Sequence, residues 1–288
     1  MRRFAYERPA SLDEAVSVLA AHGEAARPLA GATDLIIRLR DGSLAPDVVV
    51  DIKRIPELAP GIRRDGECLV IGANTTMTEI AADDTVRARY AALAEGAAVV
   101  GSIQIRNRAT LAGNLCNASP AADTAPALLV YGAEVIVAGP DGRRRIALDD
   151  WFVRSGVTTL RRGELVTAIE LPLAATPVGS THMRRTRRRG HDLASVTLSC
   201  AVRADGTTAI AYGSVGPRPW LVSDDSGTLA DPGAPEDAKL AVLDRLFERA
   251  SPSPTSMRAS PEYRLAMLRV LGLRAVEAAI GRLAGAGA

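Results

Sequence analysis

Aromatic residues are scarce: three Phe, five Tyr and two Trp in 288 residues. That poverty disfavours a platform on which nucleic-acid bases stack. The three cysteines, Cys68, Cys116 and Cys200, form no CxxC pair, so the chain has no clustered thiolates for an iron–sulfur or zinc centre of its own. Cys68 and Cys200 sit in apolar strand-like runs and read as small buried hydrophobes. His22, His182 and His191 are scattered and read as surface groups, without metal-ligand spacing or a Ser/His/Asp arrangement. The net charge of +2 gives no bulk electrostatic argument for nucleic acid or membrane. No run approaches the ~18 apolar residues of a membrane span. Met1-Arg2-Arg3 leads into no apolar segment, so a reducing, cytoplasmic compartment is expected. A GxGxxG fingerprint is also missing, which disfavours a Rossmann-type nicotinamide site.

What is present is a chain long enough for a large core of Ala, Val and Leu in two or three subdomains. Ser11-Leu12-Asp13-Glu14 reads as a capping box, and Leu12, Ala15, Val16 and Leu19 follow at helical spacing, with Gly23 as the stop. A short strand near Arg27 to Leu29 leads to a turn of small residues. Thr33 or Asp34 then caps a helix carrying Leu35, Ile36 and Leu39. Val48 to Ile52 is apolar throughout, as in a strand covered on both faces. Cys68 to Ile71 is another strand, and Thr76-Met77-Thr78-Glu79 a second capping box. Thr85 to Ala98 and Ala125 to Tyr131 read as helices. Glu134 to Ala138 and Arg144 to Ile146 read as a hairpin, and Leu165 to Leu171 as one more strand. Beyond a linker at Pro172 to Pro177, Val196, Leu198, Cys200 and Val202 alternate along a strand. Asp205-Gly206 turns it back, and helices follow from Pro235.

Two stretches stand apart because they hold almost no bulk: Pro28-Leu29-Ala30-Gly31-Ala32-Thr33-Asp34-Leu35, and Thr110 to Asp123. Small residues let a backbone approach a ligand, glycine opens backbone angles closed to other residues, and bare N–H groups attract anions. In the second stretch, read as a loop, Gly113 supplies that freedom. Asn114, Asn117 and Asp123 supply donors and acceptors, Asp123 also being placed to cap the next helix. Loops about eighty residues apart could grip one phosphorylated ligand from two sides.

These residues resemble the two flavin loops of the FAD-binding subunits of molybdenum hydroxylases. The family patterns are roughly AGGTDL and TIGGN followed by NASPAAD, against Ala30-Gly31-Ala32-Thr33-Asp34-Leu35 and Thr110-Leu111-Ala112-Gly113-Asn114 here. Further family-like pieces occur in order: Tyr6 to Ala15, Ile71-Gly72-Ala73, Ile105-Arg106-Asn107, Ala194-Ser195-Val196 and Glu262-Tyr263-Arg264. The resemblance implies an α+β architecture: a two-subdomain FAD-binding fold of the vanillyl-alcohol-oxidase/PCMH type (1–57 and 58–177), then a C-terminal antiparallel sheet with helices (178–288). It implies FAD held by residues 28–35, Ile105, Thr110, Ala112, Gly113, Asn114, Asn117, Asp123 and Leu165. Asp123 falls on the ribityl chain, and Arg184, where the family often has lysine, near the flavin N1–C2=O edge. It implies electrons from an iron–sulfur subunit, fed by a molybdopterin subunit. A self-sufficient flavoenzyme and a flavin-free scaffold remain as alternatives. Ala32 and Ala112 replace family glycines, so a methyl group is strained wherever positive φ is required. The Arg184 to Arg189 run reads as a solvated or partner-facing strand.

Overall fold

The computed structural model describes residues 2–188 and 190–286. Strands β1 (Ala5–Glu7), β2 (Ala26–Leu29) and β3 (Val48–Asp51) form a parallel sheet in the order β1-β3-β2. The central strand β3 is buried throughout, which is why its run is apolar without alternation. Helix α1 (Leu12–His22) buries Leu12, Ala15, Val16 and Leu19. Ser11 Oγ accepts from Glu14 N–H at 3.2 Å, but the Glu14 carboxylate reaches the N–H of Ala10, not that of Ser11, so the expected box is displaced by one residue. Helix α2 (Leu35–Asp41) follows β2 after the first small-residue turn.

The second sheet runs β4 (Ile62–Asp65), β5 (Cys68–Gly72), β10 (Leu165–Pro172), β6 (Glu134–Gly139), β7 (Gly142–Ala147), all antiparallel. Between β5 and β6 (Glu134–Gly139) lie α3 (Met77–Ala82), α4 (Asp84–Arg89), α5 (Ala91–Ala98), α6 (Ile103–Arg106), α7 (Leu111–Asn117) and α8 (Thr124–Val130). Strand β7 (Gly142–Ala147) closes the hairpin, the short pair β8 (Phe152–Arg154) and β9 (Val157–Thr158) follows, and β10 (Leu165–Pro172) returns to the sheet centre. The Thr76 capping box on α3 is complete. The helix expected over Thr85–Ala98 breaks at Tyr90, which leaves helical angles and donates its hydroxyl to Pro172 O at 2.8 Å. The stretch read as a loop from Thr110 is partly helix α7. Thr110 Oγ1 caps it at Gly113 N–H, Leu111 and Leu115 bury one face four residues apart, and Ala118 ends it in the left-handed region at φ 47°.

The third sheet is antiparallel: β11 (Val178–Arg185), β12 (Val196–Arg203), β13 (Thr208–Gly213), β14 (Trp220–Asp224). Helices α9 (Glu236–Leu246) and α10 (Pro261–Ala286) cover one face. The alternating residues Val196, Leu198, Cys200 and Val202 pack under these helices with Leu243, Leu268 and Val276. Thr197, Ser199 and Ala201, on the opposite face, are equally buried. The sheet is therefore covered on both sides, and the second face carries small and hydroxyl side chains. No helix among the described residues is long and apolar enough to cross a membrane.

Contact between α10 and β11 depends on Gly179. A Cβ there would sit 2.0 Å from the Ala279 carbonyl oxygen and 2.6 Å from Leu283 N, both backbone atoms that cannot move independently. Gly179→Ala is expected to lift α10 off the sheet and lower unfolding free energy by about 1–3 kcal/mol, measured by urea denaturation. Unchanged stability would show that the helix is free to shift.

Candidate functional site

The first small-residue turn is shaped by one contact. A Cβ at Gly31 would lie 1.9 Å from the Arg108 carbonyl oxygen, so only glycine lets this turn touch the segment that enters α7. The strained backbone belongs to the next residue: Ala32 has φ 64°, the region that favours glycine. Among the described residues, the N–H groups of Gly31, Ala32, Thr33 and Asp34 make no hydrogen bond. Asp34 occupies the position before α2 but its side chain makes no cap bond, contrary to the expected cap. Desolvation pushes its carboxyl above the ordinary range, against the pull of Arg38.

In α7 the glycine question resolves differently. Ala112 is a buried helical residue and Gly113 also has helical angles, so neither uses positive φ. The backbone freedom expected of Gly113 is therefore not used. A side chain at 113 would meet only the Thr110 hydroxyl, at 2.9 Å, and Gly113 leaves that stretch of wall bare. Asn114 Oδ1 accepts from Thr124 Oγ1 at 2.8 Å, joining α7 to α8, and the residue lines the cleft described below. Cys116 is exposed at the wall of a deep cleft, and the surrounding protein pushes its thiol up to about 12 by desolvation.

Asp123 precedes α8 without capping it. Its carboxylate is buried and receives donors from the third sheet instead. Arg184 Nη1 lies 2.6 Å from Oδ2, Thr197 Oγ1 donates to Oδ1 at 3.1 Å, and His182 Nε2 lies 3.4 Å from Oδ1. Arg184 also donates to Val99 O at 2.9 Å and to Asp192 O at 2.5 Å, so the guanidinium is immobilised. His182 has a buried side chain rather than the expected surface one. After β11 the basic run leaves the sheet as a loop. Arg187 and Arg188 both face the Asp192 carboxylate there; burial opposes ionisation, but the two cations outweigh it and hold that carboxyl below its usual range. Arg189 lies outside the described residues.

These pieces surround one cleft of about 720 Å³, within the ~300–1,000 Å³ range of cofactor sites. Pro28, Ala30, Gly31, Ala32, Thr33, Asp34, Leu35, Ile105, Thr110, Ala112, Gly113, Asn114, Asn117, Asp123, Leu165 and Arg184 all line it; Leu29 does not. Sequence reasoning missed the turn before β10, where Arg161 and Arg162 face the same cleft as Arg38. The turn ends at Gly163, which has φ 82°. Arg162 fastens it to the end of α1 by donating to Ala20 O and Ala21 O, each at 3.1 Å. Unspent N–H groups and arginines suit a diphosphate, amides and a carboxylate suit sugar hydroxyls, and the apolar walls at Ile105 and Leu165 suit a flat ring. The donor set therefore fits a flavin dinucleotide. Among the described residues no cluster could hold a metal ion.

The two alanines are expected to respond oppositely to replacement. Ala32→Gly relieves a left-handed residue and should stabilise the ligand-free protein by about 0.5–1 kcal/mol. Ala112→Gly loosens a helix and should destabilise it by about 1 kcal/mol. Thermal melting of both variants checks this, and equal shifts would contradict the backbone assignment.

Residues 2–174 match the FAD-binding domain of molybdopterin dehydrogenases, and residues 181–279 match the C-terminal domain of the CO dehydrogenase flavoprotein. The carbon monoxide dehydrogenase medium chain of Hydrogenophaga pseudoflava is 31% identical over 98% of this chain and 99% of its own. The xanthine dehydrogenase FAD-binding subunit of Escherichia coli O157:H7 is 27% identical over 97% of each. In reconstituted CO dehydrogenase from Oligotropha carboxidovorans, a chain with 31% identity superposes with a TM-score of 0.88 over 98% of this chain and 99% of that one. With its α+β architecture, the chain belongs to the family of FAD-binding subunits of molybdenum hydroxylases, multi-subunit oxidoreductases.

Proposed function

We propose that the cleft holds FAD so that electrons arriving from an iron–sulfur subunit, itself supplied by a molybdopterin subunit that oxidises the organic substrate, leave through the flavin to an acceptor. The observation that carries this reading is the convergence of both small-residue stretches and Asp123 on one cleft. Bound FAD would supply the redox chemistry; the protein supplies placement and electrostatics. Residues 1–57 and 58–177 form the two halves of the cradle, and residues 178–288 close it. The N–H groups of Gly31 to Asp34, with Arg38, Arg161 and Arg162 nearby, receive the diphosphate. Asn114, Asn117 and the Asp123 carboxylate receive ribityl and ribose hydroxyls. Asp123 already accepts from Arg184 and Thr197, and a carboxylate with about four lone-pair sites has room for one more hydroxyl. Arg184, clamped by Asp123, Val99 and Asp192, gives the cleft a fixed positive charge at its third-sheet wall.

The arrangement also fits a relay rather than a self-sufficient catalyst. The three cysteines form no cluster that could ligate an iron–sulfur centre, in keeping with electrons that reach the flavin from a separate carrier. A reducing cytoplasm suits three cysteines that form no disulfide with one another.

Flavin released by denaturation should chromatograph as FAD; FMN, or no flavin after incubation with FAD, would overturn the reading. Asp123→Asn should weaken FAD binding by about 1–3 kcal/mol, the value of a hydrogen bond to a charged group, in a fluorescence titration. The isolated chain should oxidise no organic substrate until both partner subunits are added. Bleaching of the flavin by a small organic molecule, with this chain alone, would assign a stand-alone flavoenzyme instead.

A further inference from the structure

His182 belongs to none of the motifs that define the cleft and does not line it, yet it lies directly behind Asp123. On β11 it shares a face with Arg184, two residues on. Across the sheet His182 pairs with Ser199, and Arg184 with Thr197. Three of these four side chains converge on the one carboxylate of Asp123, and the fourth, Ser199, touches the imidazole. The imidazole is only 2% exposed. Its Nδ1 lies 3.0 Å from Ser199 Oγ, and its Nε2, buried and without a hydrogen-bond partner among the described residues, lies 3.4 Å from Asp123 Oδ1. The main chain at this point is anchored separately, because the Glu95 carboxylate accepts from His182 N–H at 2.8 Å and from Thr181 Oγ1 at 3.2 Å.

The chemistry of these neighbours selects one tautomer. A carboxylate oxygen only accepts, so an Nε2 lone pair facing it would be repelled, whereas an Nε2–H is attracted. A serine hydroxyl rotates to donate as readily as to accept, so Ser199 can satisfy a bare Nδ1. Ser199 O–H is then directed to Nδ1, and the Nε2–H is turned toward the Asp123 carboxylate, 3.4 Å away.

We propose that His182 is a positioning residue of the flavin site, which holds Asp123 through a neutral Nε2–H imidazole backed by Ser199 and thereby aims the remaining lone pair of Asp123 at the cofactor's hydroxyls. The proposal rests on the assignment of Asp123 to the cofactor. Ser199 is itself fully buried, so the Ser199–His182–Asp123 line is a support and not a nucleophile.

Nitrogen NMR of the full chain, labelled on its three histidines and assigned with His22 and His191 variants, should show His182 as the neutral Nε2–H tautomer. An Nδ1–H tautomer overturns the proposal. In FAD titrations, His182→Gln, whose amide reaches the Nε2 position, should bind within about threefold of the parent. His182→Asn and His182→Leu, which cannot donate there, should bind roughly five- to fiftyfold more weakly. Melting of the ligand-free proteins separates affinity from folding; if His182→Leu does not fold, the Gln and Asn pair carries the comparison. Equal affinities for Gln and Asn contradict a positioning role. Combined with Asp123→Asn, His182→Asn should add less than about twofold, the mark of two residues acting as a unit. If Asp123→Asn alone leaves FAD affinity intact, the reading of Asp123 fails; if Asp123→Asn weakens binding and His182→Asn does not, only the role of His182 fails.

Discussion

The ion pair between Asp123 and Arg184 joins the flavin-binding part of the chain to its C-terminal sheet. Both side chains are largely buried and their charged atoms are 2.6 Å apart. Taking two charges out of water is costly, and the pair is tolerable because each is also hydrogen-bonded: Asp123 by Thr197, Arg184 by two carbonyls. Removing one partner strands the other, at about 3–5 kcal/mol for a buried pair. The sheet cannot leave the cleft without exposing that imbalance, so the third sheet is part of the site and not an appendage. The backbone at this point is also tight. A Cβ at Gly96 would lie 2.8 Å from Asp123 O, one at Gly213 would lie 2.5 Å from Pro120 O, and Ser214 N–H donates to Pro120 O at 2.7 Å. The segment that presents Asp123 is thus clamped by α5 on one side and β13 on the other.

The first turn follows a different constraint. Gly31 is there for closeness, since nothing larger fits against Arg108, while the left-handed angle falls on Ala32. The two glycines of the family pattern therefore answer to different physics, one to space and one to backbone angle. This chain has kept the one without which the two halves of the cleft could not meet. At α7 the alanine is helical and the glycine leaves the wall bare, so substitution for a family glycine carries strain in one stretch and not in the other.

Local signals were legible in the sequence. Ser11 and Thr76 cap their helices, the apolar run at Val48 is the middle strand of its sheet, and the Gly139 to Gly142 turn closes a hairpin. Helix α7 was obscured because its small residues mimic a loop; the spacing of Leu111 and Leu115 after Thr110 was the available clue. The break at Tyr90 depends on a hydroxyl reaching a carbonyl eighty-two residues away, which no window of local periodicity contains. The cleft was legible through its motifs, yet two features were not. The contacts of His182 and Arg184 with Asp123 are set by register across β11 and β12, and Arg161 and Arg162 face the cleft through a turn whose sequence reads simply as polar.

Amide hydrogen exchange of the chain with and without FAD addresses the cradle most directly. The N–H groups of Gly31, Ala32, Thr33 and Asp34 make no hydrogen bond among the described residues. They should therefore exchange fast in the ligand-free protein and slow markedly when FAD is added, together with residues of the Thr110 to Asp123 stretch. Exchange at these amides that is unchanged at saturating FAD would contradict the account.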